Sequence, residues 1–284
     1  MTITGTGTQA DPWIVHNYDE IKDVFQNKVS SDYLYAKLAN DIDCNEYGDT
    51  WEWETITLRA NWVFEFDLGG HTIKNIMIKG GNSLFHGKST VNVIRNGKIL
   101  NVFNNDGESV IAGNGLTLKD ISMSINGTGL TNYAFNYTKF QNCATYFKSN
   151  KLLSPFYNHN TGTSEMVKNS DFYFEIGDMN YKNLFHNVSS VGLIDNCRFR
   201  GKIGGNKDNG WLHYYAVNNS VIEIDTTEST GTTPPTMNPS QRTIINTDIC
   251  SADSVQGVTA CTTAQMRDAD YLNSIGFTVV KVGE

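Results

Sequence analysis

The chain has 284 residues, 39% of them hydrophobic, with 25 glycines and only 5 prolines, the composition of a folded globular protein of one or two domains. Its formal net charge is -8, and its lysines and arginines are scattered singly, which argues against a nucleic-acid groove. No apolar run approaches the roughly 18 to 20 residues of a membrane span, so membrane insertion is not expected.

Residues 1–16 read as an extended entry, with Trp13-Ile14-Val15 as an apolar strand. Asn17 then stands as an N-cap, Glu20 completes a capping box, and Ile21, Val24 and Phe25 form one apolar stripe, which predicts a helix of about ten residues. Laid across the open apolar end of a solenoid, such a helix would keep that end from templating aggregation. Met1-Thr-Ile-Thr has neither a basic nor an apolar leader region, so with Met1 as the native start the chain is expected to be made and folded in a cytoplasm.

The stretch from Tyr33 to Ile42 is the first full strand of the reading. Asp41 and Asp43 share one of its faces, as an acid–base pair or calcium ligands would, but no third carboxylate stands at a metal-ligand spacing and a structural role is favoured. Glu52 and Glu54 alternate with Trp51 and Trp53. That fits a sugar platform, although tryptophans in the core with glutamates in water explain it more simply.

From residue 73 to residue 224 one pattern returns seven times: an apolar residue, a polar one, an Asn or Asp, then two residues and another apolar one. The Asn/Asp positions are Asn75, Asn96, Asp120, Asn142, Asn169, Asn196 and Asn219, separated by 21, 24, 22, 27, 27 and 23 residues. The fourth copy has Thr145 at its apolar position. Such a period signals a solenoid. Apolar residues alternate with period two, as in Ile121, Met123 and Ile125, so the units are β coils rather than helical repeats. A second signature precedes the copies, an apolar pair such as Leu84-Phe85, Val110-Ile111, Ala134-Phe135 or Leu184-Phe185.

These observations predict an all-β fold, a single-stranded right-handed parallel β-helix of about seven to nine rungs spaced about 4.8 Å apart. Asn tolerates a left-handed bend, and its amide can bond to the next rung, so the seven Asn/Asp residues are expected to form one buried internal ladder. Five cysteines, at positions 44, 143, 197, 250 and 261, make no disulfide framework. Cys143 and Cys197 should lie about two rungs apart and read as small buried residues, while Cys250 and Cys261 could pair across a loop.

The order Gly-Thr-Gly-Thr-Gln-Ala-Asp-Pro-Trp-Ile, helix, Leu38-Ala-Asn-Asp-Ile-Asp43, Phe66-Asp-Leu-Gly-Gly-His-Thr-Ile73, Leu84-Phe85-His-Gly87 and Ile94-Arg-Asn-Gly-Lys-Ile99 resembles the GLUG-type right-handed β-helix modules of bacterial surface proteins and phage virion proteins. The likeness covers residues 3 to 100, with Ser83 and His86 in place of signature glycines. It implies a β-helical scaffold with an N-terminal helical cap, and no common catalytic constellation.

The expected organisation is therefore an N-terminal strand and capping helix over 1–32, a β-helix over 33–226, a linker over 227–240 containing Pro234-Pro235, and a C-terminal capping or docking segment over 241–284. In that last segment Thr262 and Gln265 open a helix, Gly276 ends it, and a strand follows, an α/β tail.

Chemical signatures are sparse. His71 sits in a Gly-Gly turn, and His86, His159, His186 and His213 recur near the first strand of their rungs without the close pairs of a zinc site; no metal or cofactor is expected. Nucleophile-elbow, P-loop and dinucleotide motifs are absent. Trp211, His213, Tyr214 and Tyr215 form the densest aromatic cluster, a candidate binding surface for glycan or protein.

The expected function is that of a non-enzymatic structural or binding protein of a phage particle, as capsid decoration, head fibre or tail component. It would be a homotrimer contacting other virion proteins and a host-surface glycan, located in the virion. The alternatives are an exported adhesin on a bacterial cell surface, or a tailspike-like polysaccharide depolymerase using Glu52, Glu54 or Asp67.

Overall fold

A computed structural model describes residues 3–28, 33–57, 63–87, 92–105, 109–113, 115–130, 133–157, 165–179, 185–186, 192–206, 215–218, 221–225, 229–230, 244–245 and 248–251. Among the described residues, apart from one nine-residue α-helix, Tyr18–Gln26, and a short 3-10 turn, Cys44–Tyr47, the regular structure is strand, and every pairing between these strands is parallel. The strands stack into three columns, which makes the molecule a parallel β-helix.

Six coils carry a strand in each column, beginning at Tyr33, Val63, Asn92, Leu116, Thr138 and Glu165. The first face stacks Tyr33–Leu38, Val63–Asp67, the start of Asn92–Asn104, the start of Leu116–Asn126, Thr138–Gln141 and Glu165–Lys168. The second face runs through Ile42–Asp43, Thr72–Ile78, the rest of those two long strands, Ala144–Leu152 and Asp171–Met179. The third face stacks Ile56–Thr57, Phe85–Gly87, Ile111–Gly113, Tyr133–Asn136, Ser154–Tyr157 and Phe185–His186. The apolar pairs of the sequence end in this third column: Phe85, Ile111, Phe135, Phe156 and Phe185 stand in register.

Further strands extend the first two faces, Gly192–Asp195 with Arg198–Ile203, Tyr215–Asn218 with Val221–Asp225, and Ile244–Ile245 with Asp248–Ser251. Strand pairing thus continues past residue 226. The predicted tail helix, the final strand and Cys261 lie outside the described residues, as do the side chains of Cys250 and of Ser229–Thr230 within the predicted linker.

Period-two alternation places one side of every strand inside. Phe66, Ile94, Leu118, Phe140, Val167 and Ile194 stack along the first face, each at most 1% exposed. Phenylalanines fill the middle of the core, with Phe135 stacked on Phe156 at 5.5 Å and Phe172 on Phe199 at 5.3 Å. Burying each such ring stabilises the fold by about 2 to 3 kcal/mol relative to leaving it in water. Thr145 takes an inward position in line with Met123 and Phe172 and is 1% exposed.

The capping helix forms as its residues predict. Asn17 Oδ1 accepts from Glu20 N at 2.9 Å, while the Glu20 carboxylate reaches one residue beyond the cap to take the His16 N–H at 2.8 Å. Phe25 packs its ring on Phe64 and Phe66 at 4.5 and 5.4 Å, and Tyr18 packs against Trp51 and Trp53. The helix therefore sets its apolar stripe on the inward side chains of the first coils.

Candidate functional site: corner ladders and outer tyrosines

Asn75, Asn96, Asp120, Asn142, Asn169 and Asn196 all adopt left-handed backbone, with φ between 48° and 59°. At a bend between two faces this conformation turns the chain within one residue, and Asn and Asp reach it at little cost. Their side chains bond from coil to coil. Asn142 Nδ2 donates to Asp120 Oδ1 at 2.8 Å, Asn169 Nδ2 to Asn142 Oδ1 at 3.1 Å, and Asn196 Nδ2 to Asn169 Oδ1 at 2.8 Å.

Two features of the expected ladder are corrected. It lies on the outside of the corner: Asn96, Asp120 and Asn142 are exposed, the bend residue pointing away from the core. It is also not one column. Asn75 stands in register with Asn101 on the second face rather than with Asn96, since Lys74 pairs with Leu100 and Ile76 with Val102. Asn101 Nδ2 donates to Asn75 Oδ1 at 3.0 Å, and Asn75 Nδ2 to Asp43 Oδ1 at 2.8 Å.

Each amide donates toward the N-terminal coils, so a carboxylate, which accepts and cannot donate, begins every run. Asp43 begins the run through Asn75 and Asn101; Asp67 accepts from Asn96 at 3.1 Å; Asp120 begins the run through Asn142, Asn169 and Asn196. Asn219 lies outside the described residues.

The carboxylates singled out for chemistry are bound into this framework. Asp41 Oδ1 accepts from Thr72 N at 2.9 Å and from His71 Nδ1 at 3.2 Å; the backbone bond is the largest cause holding its pKa below the ordinary range. Asn75, Lys74 and the Asn45 backbone do the same for Asp43. Asp67 accepts from Gly69 N at 2.8 Å and meets Arg95 at 2.9 Å, while Arg95 also donates to Glu65 at 2.8 Å. Glu52 meets Lys79 at 2.9 Å, and Glu54 meets Lys22. Trp53 is fully buried and donates to Leu84 O at 2.9 Å, so it forms no sugar platform.

The histidines do not converge. His71 is bound to Asp41 at its corner, His86 lies in a third-face strand, and the His186 backbone pairs with Tyr157; His159 and His213 are outside the described residues. Among the described residues no three His, Cys, Asp or Glu side chains gather as a metal site. Cys44, Cys143 and Cys197 are buried thiols; burial pushes the Cys44 and Cys143 thiols up to about 12 and that of Cys197 higher. Trp211, His213 and Tyr214 are outside the described residues, and only the backbone of Tyr215 is placed, opposite Gly192.

The structure adds two groups that no short motif marks. Asp171 is fully buried and meets Arg198 of the next coil, directly in register, and Arg200 at 3.1 Å. The signal was an acid and a base at the same phase of successive repeats. Outside the solenoid, half-buried tyrosines pair across coils. Tyr146 stacks on Tyr173 at 5.8 Å with the Arg200 guanidinium over the latter, and Tyr133 stacks on Tyr157 at 4.2 Å with Tyr137 edge-on to Tyr157. Burial, with a hydrogen bond to Glu175, pushes the Tyr146 hydroxyl up to about 12.

Fold and corner geometry together define a parallel β-helical scaffold whose corner asparagines and aspartates join its coils. No protein-family model matches the chain, and comparison with curated proteins finds no match. Among solved structures it is similar to one described as a "putative immunoglobulin A1 protease from Bacteroides ovatus", at 17% identity and a TM-score of 0.48 over 89% of this chain and 79% of that one. Likeness at that level carries no activity or substrate across.

Proposed function

We propose that this chain is a non-enzymatic structural and binding protein, a β-helical rod that presents its outer faces to a partner on a particle or cell surface. One observation carries the reading. Each carboxylate suited by sequence to acid–base work, Asp41, Asp43, Glu52, Glu54 and Asp67, is engaged by a backbone amide, an asparagine or a cation, most often from a neighbouring coil. A general acid or nucleophile needs a carboxyl poised toward substrate, and these are held in the folded framework.

The outer tyrosines suit the binding half of the role. A phenol offers a ring edge or face to the C–H side of a sugar and a hydroxyl to its polar side, and such side chains recur at glycan and protein surfaces. We place the rod in a phage particle, as capsid decoration, head fibre or tail component and as a homotrimer. The residues shared with GLUG-type modules support that placement, including the Gly69-Gly70-His71 corner that Asp41 closes.

The test has two arms. Immunogold labelling with antibody to this chain should decorate released virions; labelling of the bacterial envelope would replace the phage placement with an adhesin. Purified protein incubated with host capsule and pectin-like glycans should bind without releasing reducing ends. Release abolished by Asp67→Asn or Glu54→Gln would establish a depolymerase and overturn the non-enzymatic reading.

A further inference from the structure

One tyrosine stack on the outer surface has the geometry of a radical-coupling pair. Tyr133 opens the third-face strand of the fourth coil and Tyr157 closes that of the fifth; the strands pair in parallel, with Tyr133 opposite Ser154 and Asn136 opposite Tyr157. Their rings converge to a centroid distance of 4.2 Å and an interplanar angle of 26°, and both are half-buried, so they border solvent. Tyr137, beside them, is the one described residue other than Asn, Asp or Gly in the left-handed region, at φ 51. A bulky side chain there marks a constrained backbone, which holds this corner of the cluster in place.

We infer that Tyr133 and Tyr157 are a site of oxidative cross-linking, joined as dityrosine by a one-electron oxidant such as a haem peroxidase working with hydrogen peroxide. Each phenol gives up one electron and its hydroxyl proton. The two phenoxyl radicals form a carbon–carbon bond between ring positions ortho to oxygen, and the ortho hydrogens then move to the oxygens to restore both aromatic rings. The pair loses two hydrogens in all, and one hydrogen peroxide is reduced to two waters. Face-to-face pre-association brings the coupling carbons near each other before oxidation, so coupling outpaces escape. The bond adds a side-chain link between two coils that are otherwise held by the main chain, hydrogen bonds and packing.

The described pairs Tyr146–Tyr173 and Tyr18–Tyr47 differ from it in ways that matter. Tyr146 and Tyr173 are 5.8 Å apart, with the Arg200 cation over Tyr173 disfavouring a radical cation there. Tyr18 and Tyr47 meet edge to face at 76°, and Tyr18 is 3% exposed. Cys44, Cys143 and Cys197 are buried with raised thiol pKa, so they do not consume the oxidant as thiolates.

Dilute full-length protein is treated with a haem peroxidase and hydrogen peroxide and followed by dityrosine fluorescence, gel mobility and tryptic mass mapping. Lys139, Lys148 and Lys151 separate the two tyrosines, so a cross-link joins two different peptides. The expected result is a monomer carrying that joined pair, two hydrogens lighter and with a raised melting temperature. Tyr133→Phe and Tyr157→Phe should each abolish the joined pair, and Tyr137→Phe should leave it. Phenylalanine keeps the ring stack, and circular dichroism checks that each variant is folded. Cross-links that only join separate chains, that involve other tyrosines instead, or that survive Tyr133→Phe would overturn the inference.

Discussion

Asn169 accepts from one neighbour and donates to the other: its Nδ2 gives a hydrogen bond to Asn142 Oδ1, 27 residues earlier, and its Oδ1 takes one from Asn196, 27 residues later. Its backbone is at the same time left-handed, at φ 48. Replacing it with alanine loses two bonds and the short polar side chain that lets asparagine tolerate that region, an expected cost of about 2 to 3 kcal/mol. Glycine restores only the backbone freedom, so Asn169→Gly should lose about 1 kcal/mol. Urea unfolding of the two variants separates the terms; equal losses would mean that the ladder, rather than the bend, sets the cost at this corner.

Asp171 is buried against Arg198, so removing one charge strands the other. Asp171→Ala is expected to destabilise by about 3 to 5 kcal/mol, whereas Asp171→Leu combined with Arg198→Met should lose far less. A double-mutant cycle in urea measures the difference. Additive losses would show that the two charges do not support each other.

Two glycines with positive φ should respond differently. A β-carbon on Gly201, at φ +122, would come within 2.0 Å of Phe174 O, so the neighbouring coil must move. A β-carbon on Gly80, at φ +64, would meet nothing within 4 Å. Gly201→Ala is expected to cost about 3 kcal/mol and Gly80→Ala about 1 kcal/mol, read from urea midpoints.

Acid should weaken the first coils through Asp41 and Asp43. Both carboxyls titrate lower in the folded chain than in the unfolded one, so the folded state binds fewer protons in acid. Their contribution is complete above the unfolded value, about pH 4, and is lost as pH falls through the folded values. Asp43→Asn should be less stable than wild type at neutral pH, with the gap closing on acidification. Melting temperatures across the acid range test this, and a gap that widens as pH falls would contradict the assignment.

Much of the fold was legible in the residues. The period, the alternation of Ile121, Met123 and Ile125, and the recurring apolar pairs identified a parallel coil and which side of each strand faces in, because both are local consequences of side-chain direction in a strand. Asn17 with Glu20 marked the capping helix for the same reason. An eighth copy, Ile244-Ile245-Asn246, was also present in the residues and accounts for strands beyond residue 226.

What depended on tertiary structure was which residues become neighbours. Asn75 and Asn96 look like successive copies, yet the second coil turns through Leu68-Gly69-Gly70-His71, with Gly69 and Gly70 at positive φ, whereas the third turns at Asn96 alone. That difference in corner length displaces Asn75 onto Asn101. The meeting of Asp171 with Arg198, and of Tyr133 with Tyr157, likewise follows from how neighbouring coils align. A strand's alternation sorts its side chains inward or outward, but contact between side chains 24 or more residues apart is decided by the accumulated length of every bend between them.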